Sequence, residues 1–508
     1  SVVLSLEDRQ LQHLLCRYNL KKGKYMKNIK KIFSITAVFL SLILLTISGC
    51  KDSIIDVPVQ PPLNTGSANF TRMVSIGNSL TAGFQSNALY ARDQVWSFGS
   101  MIAKQVQTGY EQPLIQDPGI GGRLRLVNLA PTIVAESQVP PVASSNLNIN
   151  LAKPYNNLGI PGAIVYDMTD ETDFTAKSTA RKNPYFSLVL RNQAFGKSVV
   201  AQVKTLKPTF INVWIGANDV LGYATSGGTR GTDATGKKPT DVPVFNLFYK
   251  KMLDSLATTT GAKIVVANIP NITAIPFFTT VGPVVGAVLK AAGGLKLYFQ
   301  KSGNTSLSLE NTTLSSPTGP FITLVGQTFA PSIGKPTGFW YKANKYPGIP
   351  AGIDTTKPFG VHPQNPWPDA LILDNDEITI AKNAVTAFNG IIASEAGAKG
   401  YGLVDISSFF DNLVATGGLS VTGVGIFTPS FITGGTFSYD GVHPTSRGYA
   451  IIANEWIKVI NSKFSANIPL VDISSIPGQS IGKLAVGQDK VISIYEPHTF
   501  DNMIRNIV

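Results

Sequence analysis

The chain has 508 residues, 44% of them hydrophobic and 15% charged, enough for a sizeable core in one large domain with insertions or in two to three smaller ones. Its formal net charge is +12, but eight Lys and Arg against two acidic residues lie in residues 1–49, so half of the excess sits at the N-terminus. The rest is spread thinly, without a basic stripe interleaved with aromatics, and nucleic acid is excluded as the expected partner.

Residues 1–25 precede Met26 and are read as an upstream, non-native segment. "MKNIKK" from Met26 is positively charged, "IFSITAVFLSLILLTI" is apolar, and "SGC" ends the run at Cys50, the pattern of a signal segment over 26–49. The apolar run nearly spans a bilayer, so an uncleaved anchor is the alternative. "ISGC" resembles the lipobox of bacterial lipoproteins, which implies lipidation of Cys50 and attachment to a membrane. Cys16 and Cys50 are the only cysteines; with both in this region, no disulfide, thiolate nucleophile or cysteine metal site is expected further on. Residues 50–70, polar and proline-rich, read as a tether. Lys51 and Asp52 do not resemble an inner-membrane retention signal, so the bacterial outer membrane is the expected location, with the face left open.

From Thr71 short apolar runs alternate with helical periodicity. "RMVSIGN", "FINVWIGAND", "AKIVVANIP" and "YGLVDIS" read as strands. Between them Phe195, Val199, Val203 and Leu206 recur at helical spacing, as do Phe245, Phe248, Tyr249, Met252 and Leu256. Asp374 with Glu377 starts a helix carrying Ile378, Ala381, Val385 and Phe388, and a last helix after Pro444 carries Tyr449, Ile452, Ala453, Trp456, Ile457 and Ile460. This alternation predicts an α/β fold, a mostly parallel sheet with helices on both faces, and a site beyond the carboxyl ends of the strands. Residues 271–370 form an insertion rich in Gly, Pro, Ser and Thr. Its stretch "VGPVVGAVLKAAGGL" (281–295) reads as a lid, a lipid-facing helix or, more plainly, a helix packed on the domain. The extension 465–508 has weak periodicity and no assigned role.

"SIGNSLTAGF" sets Ser79 among small, turn-forming residues directly after the first strand. A serine hydroxyl is a poor nucleophile unless a base, an orienting acid and oxyanion donors accompany it. Only four histidines exist: His13 lies before the signal, His498 in the extension, and the contest is between "PFGVHPQN" around His362 and "YDGVHPTS" around His443. Asp440 stands three residues before His443 and can reach its imidazole across a Gly-containing turn; Phe359 holds the matching place before His362. Oxyanion donors are read in the Ser79 N–H, the Gly162 N–H of "NNLGIPGAIV" and the side-chain amide of Asn218 in "WIGAND".

"IGNSLTAGF", "NLGIPGA", "IGAND" and "DGVHP", in that order, resemble the four sequence blocks of the SGNH (GDSL) hydrolase superfamily. The likeness runs from about Arg72 to Phe464, a hydrolase domain over 71–464 in which 271–370 has no counterpart in compact members. It implies a three-layer α/β/α sandwich around a five-stranded parallel sheet, flavodoxin-like. It further implies Ser79 as nucleophile, His443 as base, Asp440 as orienting acid, and an oxyanion hole of Ser79, Gly162 and Asn218, with Gly159 a nearby rival to Gly162. No metal or organic cofactor is implied. The family usually has Asp before the nucleophile; here it is Asn78, which keeps hydrogen bonding and loses charge.

The reading is a serine ester hydrolase of lipase or esterase type, acting on a small ester, a lipid or an acylated glycan. The alternatives are a catalytically silent surface module that binds glycan or lipid, and an acyltransferase using the same triad. Oligomeric state is not legible.

Overall fold

A computed structural model describes residues 63–129, 132–136, 146–258, 261–301, 305–309 and 313–478. The signal segment, Cys50, His13, His498 and most of 465–508 therefore lie outside the described residues.

β1 (Met73–Gly77), β2 (Asn157–Gly159), β3 (Phe210–Trp214), β4 (Lys263–Ala267) and β5 (Gly402–Val404) form one sheet in the order β5-β4-β3-β1-β2. Every pairing is parallel, with Met73 opposite Phe210, Gly77 opposite Trp214 and Ser75 opposite Asn157. β1 and β3 are buried along their whole length, as continuous Val/Ile-rich runs in a sheet covered on both faces should be.

Alternation along the strands divides the core. Val74, Ile76, Ile211, Val213, Ile264 and Val266 share one cluster with α-helices on their side of the sheet, α3 (Val199–Leu206), α5 (Val242–Ala257) and α7 (Asn375–Lys399), numbered in chain order. Met73, Phe210, Trp214, Val265 and Val404 join the other cluster, with α2 (Phe98–Gln105) and α9 (Ser446–Phe464). There Phe98 stacks on Trp456 at 5.0 Å and meets Trp214 edge-on at 5.6 Å. The result is the three-layer sandwich expected. The start of α7 carries the capping box read from sequence: Asp374 accepts from the Glu377 N–H, and the Glu377 carboxylate from the Asp374 N–H.

Packing continues past residues 71 and 464. Asn64 bridges Asn467, Phe70 lies 4.4 Å from Phe210 ring to ring, and Ile468, Val471, Ile473 and Ile476 are buried beside α9. The insertion shares the first cluster through Phe277, Phe278, Leu297, Phe299 and Trp367. Its helix α6 (Val281–Ala291) buries Val281, Val285 and Leu289, while Val284 and Val288 face outward. Among the described residues no helix is long and apolar enough to cross a membrane.

The strand order positions the site. From β1 the chain moves to the edge strand β2, then returns past β1 to β3 and continues the opposite way, so the winding reverses between β1 and β3. Loops leaving those strands diverge and open a crevice at their carboxyl ends.

Candidate active site

Ser79 opens α1 (Ser79–Ala82), a single turn that follows β1 after Asn78. The Asn78 side chain caps it, its Oδ1 accepting from the Leu80 N–H at 3.0 Å. That bond fixes the amide orientation and turns Nδ2 away from the helix. Asn78 and Ser79 both line the crevice.

His443 and Asp440 come from the turn before α9. The Asp440 carboxylate is fully buried and collects five donors. Oδ1 accepts from the N–H groups of Val442 (2.9 Å) and His443 (2.8 Å) and from the Ser438 hydroxyl (3.2 Å). Oδ2 accepts from the Asn87 N–H at 2.9 Å and from His443 Nδ1 at 3.0 Å. Burial alone would raise the pKa of Asp440, but the imidazole and these donors outweigh it and hold the carboxyl below its ordinary range. An ionised carboxylate can only accept, so Nδ1 carries the ring proton and Nε2 is left with its lone pair. Nε2 lies 2.9 Å from Ser79 Oγ. The ring rests against Phe84, 4.7 Å between centroids. Behind it, Thr445 caps α9 by accepting from the Gly448 N–H at 2.9 Å.

Asn218 begins α4 (Asn218–Thr225) after β3 and reaches across the sheet end to donate from Nδ2 to the Ala163 carbonyl at 2.9 Å. One amide hydrogen remains, and Asn218 lines the crevice. Asp219 pins the same loop, accepting from the Val165 N–H at 3.0 Å and the Thr240 hydroxyl at 2.8 Å; burial pushes its carboxyl up to about 7. Gly162 sits in the turn Ile160–Ala163, where Ala163 N–H bonds the Ile160 carbonyl at 3.0 Å. Its φ of +80°, after Pro161, is that of the third residue of a type II turn, which glycine satisfies without strain. Gly159 differs. A Cβ there would fall 2.8 Å from the Thr81 carbonyl carbon and 2.9 Å from the Asn78 oxygen, and its N–H already bonds Asn157 Oδ1 at 3.0 Å. Among the described residues the N–H groups of Ser79 and Gly162 have no such partner.

Ser79, Asp440 and His443 are thus brought into one hydrogen-bonded line, with Asn218 in the same crevice. His362 stays in the insertion, its Nδ1 accepting from the Gln364 N–H at 3.2 Å.

Two groups of residues escaped the sequence reading. Ser86 and Asn87, both at positive φ (50° and 63°), aim their N–H groups at Ser438 Oγ and Asp440 Oδ2. The tolerance of Asn for left-handed backbone is the one signal there. The second is the apolar wall of the crevice, to which α8 (Ile406–Ala415) contributes Ile406, Phe409, Phe410 and Leu413, recurring at helical spacing.

Residues 342–456 match the family model for GDSL-like lipase/acylhydrolase proteins, a stretch that contains Asp440 and His443 and begins after Ser79. No curated protein matches the chain. Among solved structures it is similar to LAE5, an alpha/beta hydrolase enzyme from the metagenome of Lake Arreo, Spain, at 11% identity and a TM-score of 0.31, covering 78% of this chain and 97% of that one. It is also similar to a Parabacteroides merdae protein described as a GDSL-like lipase (12% identity, TM-score 0.30, 78% and 99% covered). A third is phospholipase A1 from Streptomyces albidoflavus (12% identity, TM-score 0.29, 78% and 100% covered). The stretch matched by that family model thus includes the turn that holds the imidazole and its carboxylate.

Proposed function

We propose that the protein hydrolyses carboxylic esters through an acyl-enzyme on Ser79. The observation that carries this is the continuous line Ser79 Oγ, His443 Nε2, His443 Nδ1, Asp440 Oδ2, with separations of 2.9 Å at the first step and 3.0 Å at the last. Oγ attacks the ester carbonyl carbon while Nε2 takes its proton. The Asp440 carboxylate, already below its ordinary pKa, stabilises the imidazolium that forms. Collapse of the tetrahedral intermediate breaks the C–O bond, and the alcohol leaves with the proton from Nε2. Water then attacks the acyl-enzyme by the same route, releasing the acid and restoring Ser79.

The developing oxyanion calls for donors that are not already engaged. The free N–H groups of Ser79 and Gly162 and the second amide hydrogen of Asn218 suit that role; Gly159, bonded to Asn157, does not.

Labelling with a fluorophosphonate probe tests the reading. The probe should modify the wild-type protein at Ser79 and leave Ser79→Ala unmodified, with hydrolysis of short nitrophenyl esters lost in parallel. Full turnover in Ser79→Ala would refute it.

A further inference from the structure

The two oxygens of the Asp440 carboxylate are held differently. Oδ1 takes the N–H groups of its own turn, from Val442 and His443, and the nearby Ser438 hydroxyl. Oδ2 faces the imidazole. Besides His443 Nδ1 at 3.0 Å, its one donor among the described residues is the Asn87 N–H at 2.9 Å, from a residue 353 places away in sequence. The aim of Oδ2 at Nδ1 therefore depends on where the Asn87 backbone sits.

That backbone is left-handed, with a φ of 63°, a conformation glycine adopts without steric conflict. Asparagine stands there instead, its side chain buried and its Oδ1 accepting nothing among the described residues. Burying an amide acceptor without a partner costs free energy, so tolerance of positive φ does not by itself account for the side chain. The amide nitrogen does. Nδ2 donates to the Gly121 carbonyl at 3.0 Å and to the Gly122 carbonyl at 3.2 Å. Those carbonyls belong to a loop fixed on both sides of the contact. Ile120 and Leu89 exchange N–H···O bonds of 2.9 and 3.0 Å, and the Leu124 N–H donates to the Ser86 carbonyl at 2.8 Å. The approach is close: a Cβ on Gly121 would overlap the Asn87 carbonyl oxygen.

Resting on the ester-hydrolase reading, we propose that Asn87 is a positioning residue for the reaction: its amide, clamped to the Gly121 and Gly122 carbonyls, holds the N–H that aims Asp440 Oδ2 at His443. Asn87 does not line the crevice, so it acts through the carboxylate and on the chemical step, not on substrate binding.

The test is a double-mutant cycle on the full chain, with nitrophenyl acetate as substrate. Asn87→Gly keeps the N–H and suits the positive φ, but removes the clamp. It should lower kcat by about 10- to 100-fold, with KM within about twofold of wild type and fluorophosphonate labelling of Ser79 slowed by the same factor as kcat. In the Asp440→Asn background the same change should cost less than about twofold more, since the group it acts through is gone. Gly121→Ala pushes on the Asn87 carbonyl from behind without touching Asp440. It should repeat both results, and it carries the test if Asn87→Gly does not fold. Wild-type kcat in Asn87→Gly, a loss confined to KM, or an equal loss with and without the Asp440 carboxylate overturns the assignment; the last is what a purely structural role produces. If the wild type neither labels at Ser79 nor hydrolyses any ester, the catalytic reading falls and this one with it. Labelling together with an unchanged kcat in Asn87→Gly removes this inference alone.

Discussion

Two turns of nearly the same sequence, "FGVHPQ" at 359–364 and "DGVHPT" at 440–445, come to different ends. Both place glycine at positive φ in the second position, 72° at Gly360 and 69° at Gly441. In the first, Phe359 is buried against Trp367, and His362 is left with a backbone contact inside its own loop. In the second, Asp440 gathers two backbone N–H groups of its own turn, one from Asn87, a hydroxyl and the imidazole. The shared residues make the turn. In the proposed mechanism the residue three places before the histidine decides whether its ring can serve as a base, because only a carboxylate can fix the tautomer and stabilise the cation.

The largest effect that tests this contrast is removal of the ring itself. His443→Ala should lower kcat by about 10⁴–10⁶-fold on nitrophenyl esters, matching Ser79→Ala, since the two act as a unit. Comparable rates in the two proteins and the wild type would break the contrast outright. Next, Asp440→Asn should lower kcat by about 10³–10⁴-fold with little change in KM, because an amide at this position can present a donor to Nδ1 and favour the wrong tautomer.

The same substitution carries a signature in pH. Asp440 has a folded pKa below its unfolded value, so its carboxylate contributes stability above the ordinary carboxylate range and loses it as pH falls through the folded value. The gap in melting temperature between wild type and Asp440→Asn should hold steady from about pH 8 to pH 5 and close in more acid solution. A gap that widens with acid contradicts the charge argument. Across the cleft, Asn218→Ala should cost about 10²–10³-fold in kcat, and a loss confined to KM would speak against an oxyanion role. Smallest of all, His362→Ala should change kcat/KM by less than about twofold, because His362 does not line the crevice.

Most of the sheet is legible from residues alone. Four of its strands are Val/Ile-rich runs, and burial on both faces leaves such runs little else to become. β2 is not: "NLG" is three residues long, polar at its start and glycine at its end, and it becomes a strand only by lying beside β1 with Ser75 opposite Asn157. The triad residues show in sequence because a carboxylate three residues before a histidine is a local pattern. The supports of Asp440 from Ser86 and Asn87 are not, since more than 350 residues separate them from it and only the fold makes them neighbours. The cleft wall hid for a related reason. The α8 stripe looks like any core-facing helix, and only the positions of its neighbours show that part of it borders open space.

The Gly441 carbonyl, in the middle of the turn that carries Asp440 and His443, accepts the Phe277 N–H at 3.0 Å. The long excursion between the fourth and fifth strands is therefore bonded to the turn from which the His443 imidazole projects. Excising that excursion to obtain a smaller enzyme would loosen the imidazole at the same stroke, and a protease cut within it would be felt at the serine. What looks in sequence like a removable ornament is, mechanically, a bracket.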